Sequence, residues 1–108
     1  MVNEVLLVAV GGALGAVLRW AVALLGRGTF PWPTLVVNVA GSLLLGAVAR
    51  GGPDWALLLL GSGVAGALTT YSAFALDTVR LPRVEAAGYV VASLALGSAA
   101  FALGWALG

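Results

Sequence analysis

The run Gly61-Ser62-Gly63-Val64-Ala65-Gly66-Ala67-Leu68-Thr69-Thr70-Tyr71-Ser72-Ala73-Phe74 holds three glycines, then two adjacent β-branched hydroxyl residues, then two aromatic residues three positions apart. Glycine costs about 1 kcal/mol in a helix interior, and β-branched residues are also weak helix formers. A regular helix is therefore poorly supported across this run. Yet it sits inside a longer segment, 54–79, whose only charges are Asp54 and Asp77. A backbone break at membrane depth leaves carbonyls that a cavity, an ion or a partner must satisfy. We expect such a break around Gly66–Thr70.

Working outward, three further apolar segments emerge. They cover 4–25, 33–49 and 86–107, each near the ~20 residues that cross ~30 Å of hydrocarbon. Gly26-Arg27-Gly28 with Pro31-Trp32-Pro33, then Arg50-Gly51-Gly52-Pro53, then Arg80 to Glu85 separate them. Only 8% of residues are charged and 62% are hydrophobic. A soluble domain carries about a quarter charged residues, so this surface cannot face water without large apolar patches. The runs are too continuous for barrel strands, and hydrocarbon then leaves only helices. Trp20, Trp32, Trp55 and Trp105 fall near segment ends, where interfacial aromatics belong. The expected architecture is all-α, one integral membrane domain over residues 1–108 with four transmembrane helices and the third interrupted.

Other classes fall away. The chain has no Cys and no His, which removes disulfides and the usual zinc or haem sites. With no convergent acidic pair there is no catalytic set, so an enzyme is not expected. A net charge of +1 without a basic stripe gives no nucleic-acid surface. Residues 4–18 resemble a signal peptide only superficially, because Glu4 precedes the apolar run and no Lys or Arg does. Arg50 lies on one side, and Arg27, Arg80 and Arg83 on the other with Arg19 nearer to them. The positive-inside rule then places both termini outside.

Polar residues within the segments are few. Thr34, Asn38, Ser42 and Gly46 recur every four residues and share a helix face. Asn38 reads either as a helix–helix hydrogen bond or as a neutral donor facing a pore. Tyr71 and Phe74 share a face, as packing aromatics or as a lining. Tyr89, Ser93 and Gly97 form a hydroxyl rail or a close-packed seam. Arg19 and Asp77 either snorkel to the interface or sit in a watery vestibule. Gly11/Gly15, Gly12/Ala16 and Ser93/Gly97 make small-xxx-small faces suited to tight packing, including packing against a second copy.

With these residues in view, the chain resembles the CrcB/Fluc family of fluoride channels over essentially its whole length. The resemblance rests on Gly11-Gly12-Ala13-Leu14-Gly15-Ala16-Val17-Leu18-Arg19, on Thr34-Leu35-Val36-Val37-Asn38-Val39-Ala40-Gly41-Ser42, and most specifically on 63–74. It implies a small inner-membrane protein, an antiparallel dual-topology dimer, and passive export of fluoride through two pores with a structural sodium ion (Na+). Carried over by position, Asn38 is the pore-lining amide, and Tyr71 and Phe74 take the places of two phenylalanines whose edges face fluoride. Thr70 and Ser93 join the polar lining. Arg19 and Asp77 match charges near the vestibules, and the Gly66 and Thr69 carbonyls face sodium. The sequence departs from the family at Tyr71 and at Ala73, where Phe and Thr are usual. The Arg imbalance raises pairing with an oppositely inserted homologue beside pairing with a second copy. A small multidrug-type exporter and a non-conducting structural subunit are the competing readings. The former usually relies on an embedded acid early in its bundle, whereas Glu4 lies at the extreme end.

Overall fold

The computed structural model describes residues 2–108. Helix α1 runs Val2–Ala23 and α2 runs Trp32–Ala49. Helix α3 covers 54–68, α4 is Tyr71–Arg80 and α5 is Arg83–Leu107. No strand occurs among the described residues. Taking α3 and α4 as one interrupted span, four helices are long and apolar enough to cross a membrane.

The helix ends follow local chemistry. Past Ala23 the backbone tightens: Leu25 N–H donates to the Val22 carbonyl at 3.0 Å and Gly26 N–H to Ala23 at 3.2 Å. These three-residue closures end α1 two residues before the expected 25. Helix α5 begins at Arg83 rather than 86. Pro82, at φ −55° and ψ 151°, sits at its N-cap, and the Pro82 carbonyl accepts the Ala86 N–H at 2.7 Å. A proline suits a helix start because its missing N–H would be unpaired there. At the opposite rim Arg50 Nη1 donates to the Trp105 carbonyl at 3.1 Å, capping a bare end of α5.

The middle of α3, Leu57–Ala65, is a π-helix of 9 residues. Its wider turn closes where Gly66 N–H reaches the Gly61 carbonyl five residues back. Such widened turns are rare and tend to mark functional regions. Here the segment lies against α1 with the two backbones in contact. A Cβ on Gly63 would stand 2.7 Å from the Gly11 Cα, and one on Gly11 would strike the Leu59 carbonyl. The other close pairing joins α2 to α5, where a Cβ on Gly104 would meet the Leu43 carbonyl and one on Gly46 the Phe101 carbonyl. Lipid tails are as apolar as leucine, so this close contact, rather than the hydrophobic effect, holds the helices together.

The Gly11/Gly15 face is therefore used within the chain, whereas a Cβ on Gly12 would meet nothing within 4 Å. Much of α1 and α5 remains uncovered, including Val10, Leu14 and Val17 on one and Val84, Val91 and Leu94 on the other. Tyr89 is the largest fully buried side chain.

Candidate functional site

The interrupted span builds the site. Thr69 (φ −75°, ψ 152°) and Thr70 (φ −148°, ψ 125°) are extended, and they separate α3 from α4. Both threonines repair part of the damage. Thr69 N–H and Oγ1 each donate to the Ala65 carbonyl, at 3.0 and 2.9 Å. Thr70 is the N-cap of α4, its Oγ1 accepting the Ala73 N–H at 3.2 Å, a favoured role for threonine.

Asn38 completes the repair from α2. Its Oδ1 accepts the Thr70 N–H at 2.8 Å, and its Nδ2 donates to the Thr70 carbonyl at 3.2 Å. A side-chain amide thus pairs with both backbone polar groups of one extended residue, as a neighbouring strand would. Ser42 Oγ donates to the Asn38 carbonyl at 2.8 Å, bonding within α2. An amide carries two N–H donors, so one Asn38 N–H stays available after the Thr70 bond.

These residues wall an open cleft of about 400 Å³. Asn38 and Gly66 enter it with Thr69, Thr70, Tyr71, Phe74 and Ser93. Seven of the nine residues singled out in the sequence therefore meet in one place. Tyr71 is 81% exposed, so its ring finds little cover within its own chain. Phe74 lies 6.3 Å from the Tyr71 ring and 5.1 Å from that of Tyr89, centroid to centroid. The Tyr89 ring in turn meets Phe30 edge-on at 5.6 Å.

The other two residues lie elsewhere. Arg19 lines a second cavity of about 310 Å³ against α1, with Thr70 in the walls of both. Asp77 is one helical turn past Phe74, and its Oδ2 accepts from Thr34 Oγ1 at 2.8 Å.

Tyr89 shares the four-residue rail of Ser93 and Gly97 read from the sequence, but the family resemblance gave it no role in the lining. Its hydroxyl is buried beside Thr34 and Asp77. One turn on, Ser93 Oγ is buried and makes no hydrogen bond with the described chain, and buried polar atoms usually have partners. At the break, no backbone donor outside the helices reaches the Thr69 carbonyl among the described residues, and Gly66 is exposed. No cluster of three or more acidic residues occurs among the described residues.

Comparison with known proteins identifies the family. The family described as "CrcB-like protein, Camphor Resistance (CrcB)" matches residues 6–105. A relative from Rhodococcus jostii, named "Fluoride-specific ion channel FluC 2", is 48% identical over 113 residues, covering 95% of this chain and 96% of the relative. "Fluoride-specific ion channel FluC 1" of Natronomonas pharaonis is 46% identical over 101 residues, covering 88% and 85%. "Fluoride-specific ion channel FluC" of Rhizobium meliloti is 42% identical over 120 residues, covering 97% and 95%. The family match over residues 6–105 and relatives 42–48% identical along most of their length show that this chain belongs to the CrcB-like family.

Proposed function

We propose that this chain forms a passive, selective fluoride channel. The observation that carries the reading is a cleft in which an Asn38 N–H, the Phe74 ring and an orphan Ser93 hydroxyl converge without a carboxylate. Fluoride is small and tightly hydrated, so a path must replace its water with close donors. It must also release the ion, which a buried arginine would oppose by holding it. Neutral amide and hydroxyl donors, with the electropositive edge of an aromatic ring, meet both demands. The fluoride named in the relatives is the other support.

In this reading Asn38, Thr70, Tyr71, Phe74 and Ser93 line the path, with Tyr89 behind Phe74. The Tyr71 phenol keeps a ring edge and adds a hydroxyl. Arg19 and Asp77 serve the approaches. The exposed Tyr71 ring and uncovered helix faces call for a second subunit, either an antiparallel copy or an oppositely inserted homologue. Sodium at the shared break is held by the Gly66 and Thr69 carbonyls of both subunits, as a structural charge. The assembly spans the bacterial inner membrane.

A camphor exporter has only the wording of the family description behind it, and a multidrug-type exporter has nothing, whereas the relatives are named for fluoride. Growth of a fluoride-sensitive strain separates these readings. Expression of the chain, alone or with an oppositely inserted homologue, restores growth in fluoride and leaves camphor tolerance unchanged. Camphor tolerance without fluoride tolerance would overturn the proposal.

A further inference from the structure

A third cavity, of about 320 Å³, opens where the 24–31 loop meets the end of α4. Arg27 and Arg80 both line it, beside Asp77. Gly28, at φ 76°, turns the loop there. This cavity shares Ala23, Pro33 and Thr34 with the second cavity. That second cavity contains Arg19 and reaches Thr70, which also lines the main cleft. The three spaces therefore share wall residues between the Arg27 loop and the break.

Charge along this route is uneven. Asp77 is engaged by Thr34 at 2.8 Å and offsets one positive charge. Arg27 and Arg80 are exposed, and neither is engaged by another residue of the described chain. With Arg19 further in, three guanidinium groups face one carboxylate. Clefts lined by one sign of charge concentrate oppositely charged solutes and raise their arrival rate, an effect that salt suppresses. Arginine stays protonated at any working pH.

We infer that Arg27 and Arg80 form an anion-collecting mouth that delivers fluoride to the path at low ionic strength. The inference rests on the fluoride-channel reading. It assigns these two residues to recruitment, whereas the donors at the break act on the ion after it has shed water. Diffusible anions are the intended ligand, and lipid phosphates are the competing source of the same chemistry.

The test measures fluoride efflux from phosphatidylcholine liposomes for the parent, Arg27→Gln/Arg80→Gln, and Arg27→Lys/Arg80→Lys. Total ionic strength is set with potassium isethionate at about 10 mM or about 1 M, where the screening length is roughly 30 Å or 3 Å. Equal incorporation and assembly are checked by size-exclusion chromatography. At low ionic strength the Gln variant should conduct about three- to tenfold less than the parent, with Lys restoring most of the flux. At high ionic strength the three should agree within about twofold, because screening removes steering. Equal flux at low ionic strength would overturn the inference while leaving the channel reading intact. A loss that persists at high ionic strength, or that needs added phosphatidylglycerol, would also overturn it by assigning the arginines to packing or lipid headgroups. A parent that conducts no fluoride would remove the channel reading itself.

Discussion

Asn38→Ala tests how the break is held, and its cost follows from two bonds. The side chain accepts the Thr70 N–H at 2.8 Å and donates to the Thr70 carbonyl at 3.2 Å. Removing it leaves the N–H and the carbonyl of Thr70, which belong to two successive peptide groups, without partners. Each buried group stranded in this way costs about 1–3 kcal/mol. Asn38 and Thr70 are half-buried beside an open cleft, where water supplies partial replacement, so the low end applies. About 1 kcal/mol for each group gives about 2 kcal/mol for the pair. At about 1.4 kcal/mol per factor of ten, local opening at the break should become about 30-fold more populated. Hydrogen–deuterium exchange in detergent reads this directly: protection of the Thr70 amide should fall by about that factor, while α1 and α5 change little. Fluoride efflux should fall at least tenfold, because the same change removes the free donor and loosens its support. Unchanged Thr70 protection together with unchanged flux, in a correctly assembled protein, would refute the assignment of Asn38 to both tasks.

Other substitutions probe separate parts of the account. Phe74→Ile should lower fluoride flux severalfold at constant assembly, since it keeps apolar volume and removes the ring edge between Tyr71 and Tyr89; liposome efflux at matched protein density checks it. Tyr71→Phe should retain conduction if the ring edge is the working feature, and the same assay detects loss if the hydroxyl is required. Gly104→Ala should destabilise the chain by about 1–3 kcal/mol through overpacking, because its new methyl meets the Leu43 carbonyl. Gly12→Ala, with nothing within 4 Å of the added carbon, should leave thermal unfolding in detergent unchanged or slightly raised. Arg50→Ala should cost no more than about 1 kcal/mol by the same measurement, because its bond to the Trp105 carbonyl is exposed.

The four spans were legible because hydrocarbon permits so few backbone solutions. The interruption could also be read, since two threonines following closely spaced glycines weaken a helix in a segment otherwise long enough to cross. Helix ends were less legible. Pro82 looked like part of a connection, yet it starts α5 at Arg83. The π-turns over Leu57–Ala65 carried no local signal beyond Gly61 and Gly63, and they lie against Gly11 of a helix some 50 residues earlier. Within the site, four-residue spacing brought out Asn38 and Ser93, but left open whether Asn38 bonds another helix or offers a free donor. The structure gives it the first role and leaves one N–H for the second, because an amide has more hydrogen-bonding groups than a single peptide can use. Tyr89 shared Ser93's register, but its burial against Phe30 and Phe74 arises from tertiary packing that spacing does not encode.

The central claim is selective passage of fluoride through a path made by this protein, and purified protein in liposomes addresses it without cellular partners. Potassium fluoride and potassium chloride are loaded in parallel preparations, valinomycin balances charge, and ion-selective electrodes follow efflux. The account predicts rapid passive fluoride release, with chloride release no faster than from protein-free liposomes. Equal release of both anions, or release of neither from assembled protein, would contradict it.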